Sequence, residues 1–163
     1  MSDAIGHGQA PGHGAGHGSG HAASAPRTHR VVVYSDDPAV RGAVRTAVGR
    51  HPARDLGRVE WVDLDSGPAV VKAIDAGGVD VAVFDGEAWP TGGLGLAKQL
   101  KDEVRDCPPI IVLIARRDDA WLATWSLADG VVPLPIDPAE LTSAVVEQLR
   151  RRESAQPVRR AVG

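Results

Sequence analysis

The chain of 163 residues is poor in cysteine and in aromatic residues. Its single cysteine, Cys107, excludes an internal disulfide and is typical of a reducing compartment. Because no base or cation is adjacent to it in the sequence, we expect its thiol to be inert. Aromatic residues make up 4% of the chain and hydrophobic residues 43%, so aliphatic side chains must fill most of the core.

The sequence also lacks long apolar runs and the motifs of common enzyme classes. It has no stretch of about 18 apolar residues, which predicts no membrane span, and no basic-then-apolar leader of the signal-peptide type. A Gly-rich phosphate loop and a nucleophile–base pair are both missing, which argues against a small flavodoxin-like catalyst. We therefore expect a cytoplasmic protein that is not an enzyme.

Charge is unevenly distributed along the chain. The formal net charge is −3, but residues 31–149 carry 19 acidic and 11 basic side chains. An acidic body without a helix-turn-helix pattern argues against nucleic-acid binding. The last 14 residues hold five arginines and one glutamate. This basic end either touches phosphates, a membrane surface or an acidic partner, or it simply solvates the end of the chain.

Residues 1–29 form a segment rich in Gly, Ala, Ser and His. It has too few apolar residues to offset the entropy of ordering so much glycine, so we predict a disordered tail. Four histidines in Gly-His-Gly-type spacing could bind zinc, nickel or copper loosely. Functional metal sites usually need ligands fixed by a fold, and a flexible solubilising tail is therefore the favoured interpretation.

Strand and helix patterns alternate from Arg30 onward. Apolar runs rich in β-branched residues predict buried parallel strands, and helix signals such as Asp37-Pro38 follow them. The alternation predicts an α/β fold of the flavodoxin-like, doubly wound type, with five parallel strands and five helices. One domain would cover residues 30–152, with a flexible basic tail over 153–163. The predicted strands are 31–34, 59–64, 79–84, 110–114 and 131–132, and the predicted helices are 38–50, 68–76, 94–105, 119–128 and 138–152.

Acidic residues follow two of the predicted strands. Asp36 and Asp37 come after the first strand, and Asp85 ends the apolar run 79–85. Open α/β sheets carry their sites at the carboxyl edge of the strands. We therefore expect these carboxylates to lie together at that edge.

This arrangement resembles the receiver domain of two-component response regulators over residues 30–150. The resemblance places Asp85 at the phospho-acceptor position and Asp36 at one of two acidic metal-binding positions. Ser35, which is neutral, occupies the other. If magnesium binds, weakly, the resemblance implies Asp36, Asp85 and Glu87 as its ligands; no cofactor is expected with certainty.

Three further positions depart from the receiver pattern. The run Leu134-Pro135-Ile136-Asp137-Pro138 resembles the family's Lys-Pro-Phe-Asp-Pro, so Leu134 replaces the lysine that pairs with the phosphoryl group. Ile114 replaces the strand-four hydroxyl and Val131 the switch aromatic. A charge-assisted hydrogen bond is worth roughly 1.5–3 kcal/mol, and a ligand biases a two-state element only through differential contacts. The resemblance therefore implies a degenerate receiver that acts through protein interaction. The alternative is a conventional relay in which a histidine kinase phosphorylates Asp85.

Four of the six aromatic residues are tryptophans. Trp121 and Trp125 are four apart on a predicted helix and hence on one side of it, and Trp89 lies in the loop after Asp85. Tryptophan is enriched at interface hot spots, and the resemblance implies an output face that includes this helix. The alternative is that Trp121 and Trp125 cover the sheet and are buried. Trp61 is expected to be structural, on the second strand.

A narrower resemblance suggests a partner. Several segments are similar to stand-alone receiver-like proteins of mycobacteria and other actinobacteria that are associated with the proton-pumping NADH dehydrogenase, respiratory complex I. That resemblance implies docking to the cytoplasmic arm of the complex, and membrane association through it. The segments are 34–36, 85–88, 90–93, 97–103, 107–110 and 121–123.

Overall fold

A parallel sheet of five strands forms the centre of the protein, of which the computed structural model describes residues 27–155. The order of the strands is β2-β1-β3-β4-β5, and every neighbouring pair is parallel. This is the flavodoxin-like order, which confirms the predicted fold class. The strands are β1 (His29–Tyr34), β2 (Val59–Leu64), β3 (Val81–Asp85), β4 (Ile110–Ile114) and β5 (Gly130–Pro133).

Five α-helices connect and follow these strands. They are α1 (Pro38–Val48), α2 (Gly67–Asp75), α3 (Gly93–Glu103), α4 (Ala120–Trp125) and α5 (Pro138–Ala155). Asp37 caps α1 as predicted, because its Oδ1 accepts a hydrogen bond from the Ala39 amide at 2.8 Å. Within residues 27–155, no helix is long and apolar enough to cross a membrane.

Helix α4 is shorter than the predicted helix 119–128. A 3₁₀ turn, Arg117–Asp119, precedes it, and it ends at Trp125. The Ser126 hydroxyl donates back to the Ala123 carbonyl at 2.7 Å, and Leu127 adopts a left-handed φ of 60°. Both features compete with continuation of the helix.

The fold extends past both predicted domain boundaries. Strand β1 begins at His29, which is 1% exposed, and the Arg27 guanidinium lies 2.9 Å from a carboxylate oxygen of Asp80. Helix α5 continues to Ala155 rather than ending at residue 152. The Gly-His-Gly repeats and the last two arginines lie outside the described residues.

Two apolar cores lie on opposite faces of the sheet. One packs α1 and α5 against residues such as Val33 and Leu113, and the other packs α2 and α3 against residues such as Val32 and Phe84. Trp61 contacts the first core, and its indole N–H donates to the Gly49 carbonyl at 2.9 Å. These contacts agree with the structural role expected for Trp61.

Candidate functional site

Asp85 and Ser35 meet at the carboxyl edge of the sheet, where β3 and β1 end side by side. Asp85 is 5% exposed and Ser35 is fully buried. The Ser35 hydroxyl donates to Asp85 Oδ2 at 2.7 Å, and the Glu87 amide donates to Asp85 Oδ1 at 2.9 Å. Each oxygen of the buried carboxylate therefore accepts a hydrogen bond from the protein, which offsets part of the cost of burying its charge.

Asp36 lies at the same edge but is exposed and bonds to the backbone of the next loop. Its Oδ1 accepts a hydrogen bond from the Trp89 amide at 3.0 Å. Glu87 is exposed, and the structure does not bring it together with Asp36 and Asp85 as a three-carboxylate site. Among residues 27–155, no group of three or more His, Cys, Asp or Glu side chains is placed to hold a metal ion.

The residues at this edge are a poor fit to a resident magnesium ion. Magnesium requires near-ideal octahedral geometry and takes carboxylate oxygens as its protein ligands. Ser35 offers a neutral hydroxyl where a carboxylate ligand would stand, and this hydroxyl donates to Asp85 Oδ2. Asp36 Oδ1 is already bonded to the Trp89 amide. Both oxygens of Asp85 and one oxygen of Asp36 therefore already accept hydrogen bonds within the protein.

The loop after β3 approaches the sheet closely at two glycines. A Cβ atom on Gly86 would lie 2.5 Å from the Leu113 carbonyl oxygen, and one on Gly93 would lie 2.4 Å from the Asp85 carbonyl oxygen. Real Cβ atoms do not come so near. Residues with side chains would push this loop and the start of α3 away from β3 and β4.

Tyr34, the last residue of β1, holds the far end of the loop. Its hydroxyl donates to the Thr91 carbonyl at 2.5 Å, and its ring packs edge-on against Phe84 with the centroids 5.8 Å apart. Burial raises the pKa of the Tyr34 phenol above its ordinary value, and the negative charges of Asp36 and Asp85 raise it further. Sequence reasoning did not assign a role to Tyr34, because only the path of the loop brings Thr91 to it.

The three remaining switch positions are apolar and lie in or against the cores. Ile114 is 3% exposed and belongs to the core on the α2–α3 side, against which Val131 packs. Leu134 packs against the core on the α1–α5 side. None of the three provides a hydroxyl, an aromatic ring or a cation to the edge where Asp85 lies.

No lysine or arginine of the described chain forms an ion pair with Asp85. Arg41 comes to this edge, but its Nη1 donates to the Ser35 carbonyl at 2.6 Å and its Nε lies 3.6 Å from Asp63. The cation lost with Leu134 is therefore not replaced by another residue in this region.

Four large apolar side chains are exposed among residues 27–155. The exposed fractions are 75% for Trp89, 66% for Trp121, 53% for Trp125 and 51% for Leu127. The alternative that Trp121 and Trp125 are buried against the sheet is thus wrong. Leu127 was missed because the sequence pattern placed it inside a helix, whereas it follows the end of α4 in a left-handed conformation.

Known proteins are similar to this chain in sequence and in fold. Two curated sequences from Mycobacterium tuberculosis, of strains CDC 1551 / Oshkosh and ATCC 25618 / H37Rv, are each named an uncharacterized response regulatory protein. Each is 50% identical to this chain over 121 residues, which is 74% of this chain and 91% of the relative. The chain belongs to the response regulator receiver family.

Solved receiver domains agree with this assignment at the level of the fold. The receiver domain of Francisella response regulator 1452 superposes with a TM-score of 0.64 at 21% identity, covering 76% of this chain and 98% of that one. A response regulator from Chloroflexus aurantiacus J-10-fl superposes with a TM-score of 0.65 at 22% identity, covering 77% and 100%. No family model matches the sequence.

Proposed function

We propose that this receiver domain works by docking to another protein and does not use a phosphorylation-driven switch. One observation carries the proposal: Asp85 has the Ser35 hydroxyl as its side-chain partner, and no cation of the described residues pairs with it. The chain thus keeps an aspartate at the acceptor position of a receiver, whereas the cation that would pair with a phosphoryl group there is missing from the described residues.

The energetics of a phosphoryl group at Asp85 support this proposal. A dianionic phosphoryl group gains roughly 1.5–3 kcal/mol from each hydrogen bond to a charged partner, and Leu134 cannot supply one. Ile114 offers no hydroxyl to contact the modified residue. A modification that makes no differential contacts in two conformations cannot shift the equilibrium between them.

Exposed apolar side chains supply the docking surface, which consists of Trp121, Trp125 and Leu127 at α4 together with Trp89 in the loop after β3. Exposed clusters of large apolar residues mark interaction sites, and tryptophan dominates many of them. Leu127 strengthens the argument because its φ of 60° is a conformation that side chains with a Cβ disfavour by roughly 1–2 kcal/mol. A strained and exposed leucine is unfavourable for the free protein. Such strain is typical of functional positions, which supports a role for Leu127 in contacting a partner.

The partner that we propose is the cytoplasmic arm of the proton-pumping NADH dehydrogenase. The motif resemblance to actinobacterial receiver-like proteins associated with that complex supports this choice. The 50% identity to two mycobacterial response regulatory proteins agrees with the source of that resemblance, and their names specify no partner. The protein would then be cytoplasmic and would reach the membrane through its partner.

Affinity purification from native membranes tests this proposal. The full chain carries a tag, membranes are solubilised in a mild detergent, and captured proteins are identified by mass spectrometry. We expect dehydrogenase subunits to be captured by the wild type and lost with the double variant Trp121→Ala, Trp125→Ala. Thr124→Ala, an exposed non-aromatic change on the same helix, is the matched control and should capture as the wild type does. Capture of other proteins without these subunits would contradict the proposed partner, and full capture by the double variant would contradict the surface.

A conventional phospho-acceptor is the second candidate, because Asp85 is retained at the end of β3 where receivers carry their acceptor. Incubation with acetyl phosphate and magnesium, followed by intact-mass measurement, separates the two candidates. The docking proposal expects no added phosphoryl group. A gain of one phosphoryl group that Asp85→Asn abolishes would favour the relay.

A further inference from the structure

We propose that Tyr34, Ser35 and Asp36 form a clasp that fastens the loop after β3 and presents Trp89 to the docking partner. Asp36 is thereby a positioning residue that acts through a backbone amide, not a magnesium ligand. The consequence for docking rests on the proposed function above, whereas the clasp itself is a property of the free protein.

The clasp consists of three consecutive residues, each bonded to a different part of β3 and its loop. The Ser35 hydroxyl holds the Asp85 side chain, where the loop begins, at 2.7 Å. The Asp36 carboxylate accepts from the Trp89 amide in the middle of the loop at 3.0 Å. The Tyr34 hydroxyl donates to the carbonyl of Thr91, near the start of α3, at 2.5 Å. Hydrogen bonds thus connect the beginning, middle and end of the loop to the last residue of β1 and the two residues after it.

Trp89 depends on this backbone restraint, because packing does little to fix its side chain. Its indole is 75% exposed, while Ala88 beside it is 5% exposed. The Ala88 amide donates to the Asp85 carbonyl at 3.2 Å, which forms the turn but leaves the following residue to be fixed by other contacts. The bond from the Trp89 amide to Asp36 supplies that restraint. Fixing a loop before binding lowers the entropy that association costs.

The misfit between this edge and magnesium follows from the same hydrogen bonds. A cation at the carboxylates would compete with the Ser35 hydroxyl for Asp85 and with the Trp89 amide for Asp36. The acidic residues that resemble metal ligands therefore serve the loop. On this basis, magnesium ions leave the Trp89 loop unchanged.

Hydrogen exchange of the Trp89 amide, followed by NMR on the full chain, measures the clasp directly. The variants are Asp36→Ala, which removes the acceptor, and Asp36→Asn, which keeps a neutral oxygen at the same distance. We expect exchange to be about 10-fold or more faster in Asp36→Ala, since the acceptor in the wild type is charged. The exchange rate of the Trp89 amide in Asp36→Asn should lie between the rates in the wild type and in Asp36→Ala. Asp37→Asn removes the same charge one residue away, where the side chain caps α1, and should leave the Trp89 amide as in the wild type.

A Trp89 amide that exchanges in Asp36→Ala at the wild-type rate would overturn the clasp. Should Asp36→Ala fail to fold, which the loss of protection at β1 amides would reveal, Asp36→Asn decides the matter, and wild-type exchange in that variant overturns the proposal. Titration of the wild type with magnesium alone gives a second measurement. A saturable change in Trp89 exchange that Asp36→Asn abolishes would restore Asp36 as a metal ligand and overturn the proposal.

Capture from membranes connects the clasp to docking. We expect Asp36→Ala to recover less partner than Asp37→Asn does. Wild-type recovery by Asp36→Ala, with the Trp89 amide released, would overturn the presentation of Trp89 and leave the proposed function intact. If the wild type itself captures no partner, the proposed function fails, while the exchange measurement still decides whether the clasp exists.

Discussion

The hydroxyl of Ser35 lies 2.7 Å from Oδ2 of Asp85, and both side chains are buried. A buried carboxylate is costly unless hydrogen-bond donors surround it. In this protein the Ser35 hydroxyl and the Glu87 amide provide those donors at the two oxygens. The pairing gives the buried carboxylate of Asp85 two hydrogen-bond donors, although no lysine or arginine of residues 27–155 pairs with it.

Removal of the Ser35 hydroxyl should destabilise the protein. In Ser35→Ala, Asp85 Oδ2 loses its donor, and the Asp37 amide loses the Ser35 oxygen that it bonds at 3.1 Å. We expect the free energy of unfolding to fall by about 1–3 kcal/mol, the usual cost of leaving buried polar groups unpaired. Urea denaturation followed by tryptophan fluorescence measures this change. Ser143→Ala, an exposed change on α5, is the control and should stay within about 0.5 kcal/mol of the wild type. A Ser35→Ala variant as stable as the wild type would show that Asp85 does not need this partner.

The phenol of Tyr34 should titrate above its ordinary value in the folded protein. The chain has one tyrosine, so ultraviolet absorbance of the phenolate reports this residue alone. Burial raises the pKa of Tyr34 first, and the carboxylates of Asp36 and Asp85 raise it further. Phenolate that forms in the native protein at or below the ordinary pKa of 10.0 would contradict the buried hydroxyl seen here.

The same shift makes stability depend on pH in the alkaline range. Above pH 10.0 the unfolded chain has lost the phenolic proton while the native protein retains it, so unfolding releases a proton. The free energy of unfolding therefore falls as pH rises from that value to the native pKa of Tyr34. Tyr34→Phe should lack this part of the alkaline loss, which denaturation at several pH values can measure.

The sheet and its acidic edge could be predicted from sequence because they depend on local patterns. Continuous β-branched runs predict buried parallel strands, and their alternation with helices predicts right-handed crossovers in a doubly wound sheet. The sheet and its edge need only the identities of neighbouring residues. The replacement of a lysine by Leu134 was instead implied by the resemblance of the Leu-Pro-Ile-Asp-Pro run to the receiver pattern, and the structure shows Leu134 packed against a core.

The remaining features depend on contacts between distant positions or on single backbone angles. The Tyr34 hydroxyl bonds to Thr91, 57 positions away, and Arg27 pairs with Asp80, 53 positions away. Neither pairing has a signal in residue spacing, so Arg27 was assigned to the tail. Leu127 was placed in a helix because nothing in its side chain indicates a positive φ. Such details follow from the tertiary path of the chain.

Two glycines of α3 should respond in opposite ways to substitution by alanine. A Cβ at Gly93 would lie 2.4 Å from the Asp85 carbonyl oxygen, whereas a Cβ at Gly95 meets nothing within 4 Å. Gly93→Ala must move backbone and should lower the free energy of unfolding by about 1–3 kcal/mol. Gly95→Ala should raise it by roughly 0.5 kcal/mol, because alanine loses less backbone entropy than glycine when it joins the first turn of the helix. Urea denaturation of both variants measures the difference, and an equal effect of the two changes would contradict the close approach of α3 to β3.

Leu127 should show opposite effects of one substitution on stability and on docking. Glycine adopts a φ of 60° without the penalty of a Cβ, so Leu127→Gly should raise the free energy of unfolding by about 0.5–1 kcal/mol after its greater unfolded-state entropy is counted. The same change removes an exposed apolar side chain from the docking surface and should reduce capture of the partner from membranes. Leu127→Ala is the matched control, because it removes the same contact but keeps the strained Cβ, and it should weaken capture without stabilising the protein. Unchanged capture by both variants would exclude Leu127 from the docking surface, and a less stable Leu127→Gly would show that the leucine is retained for the fold itself.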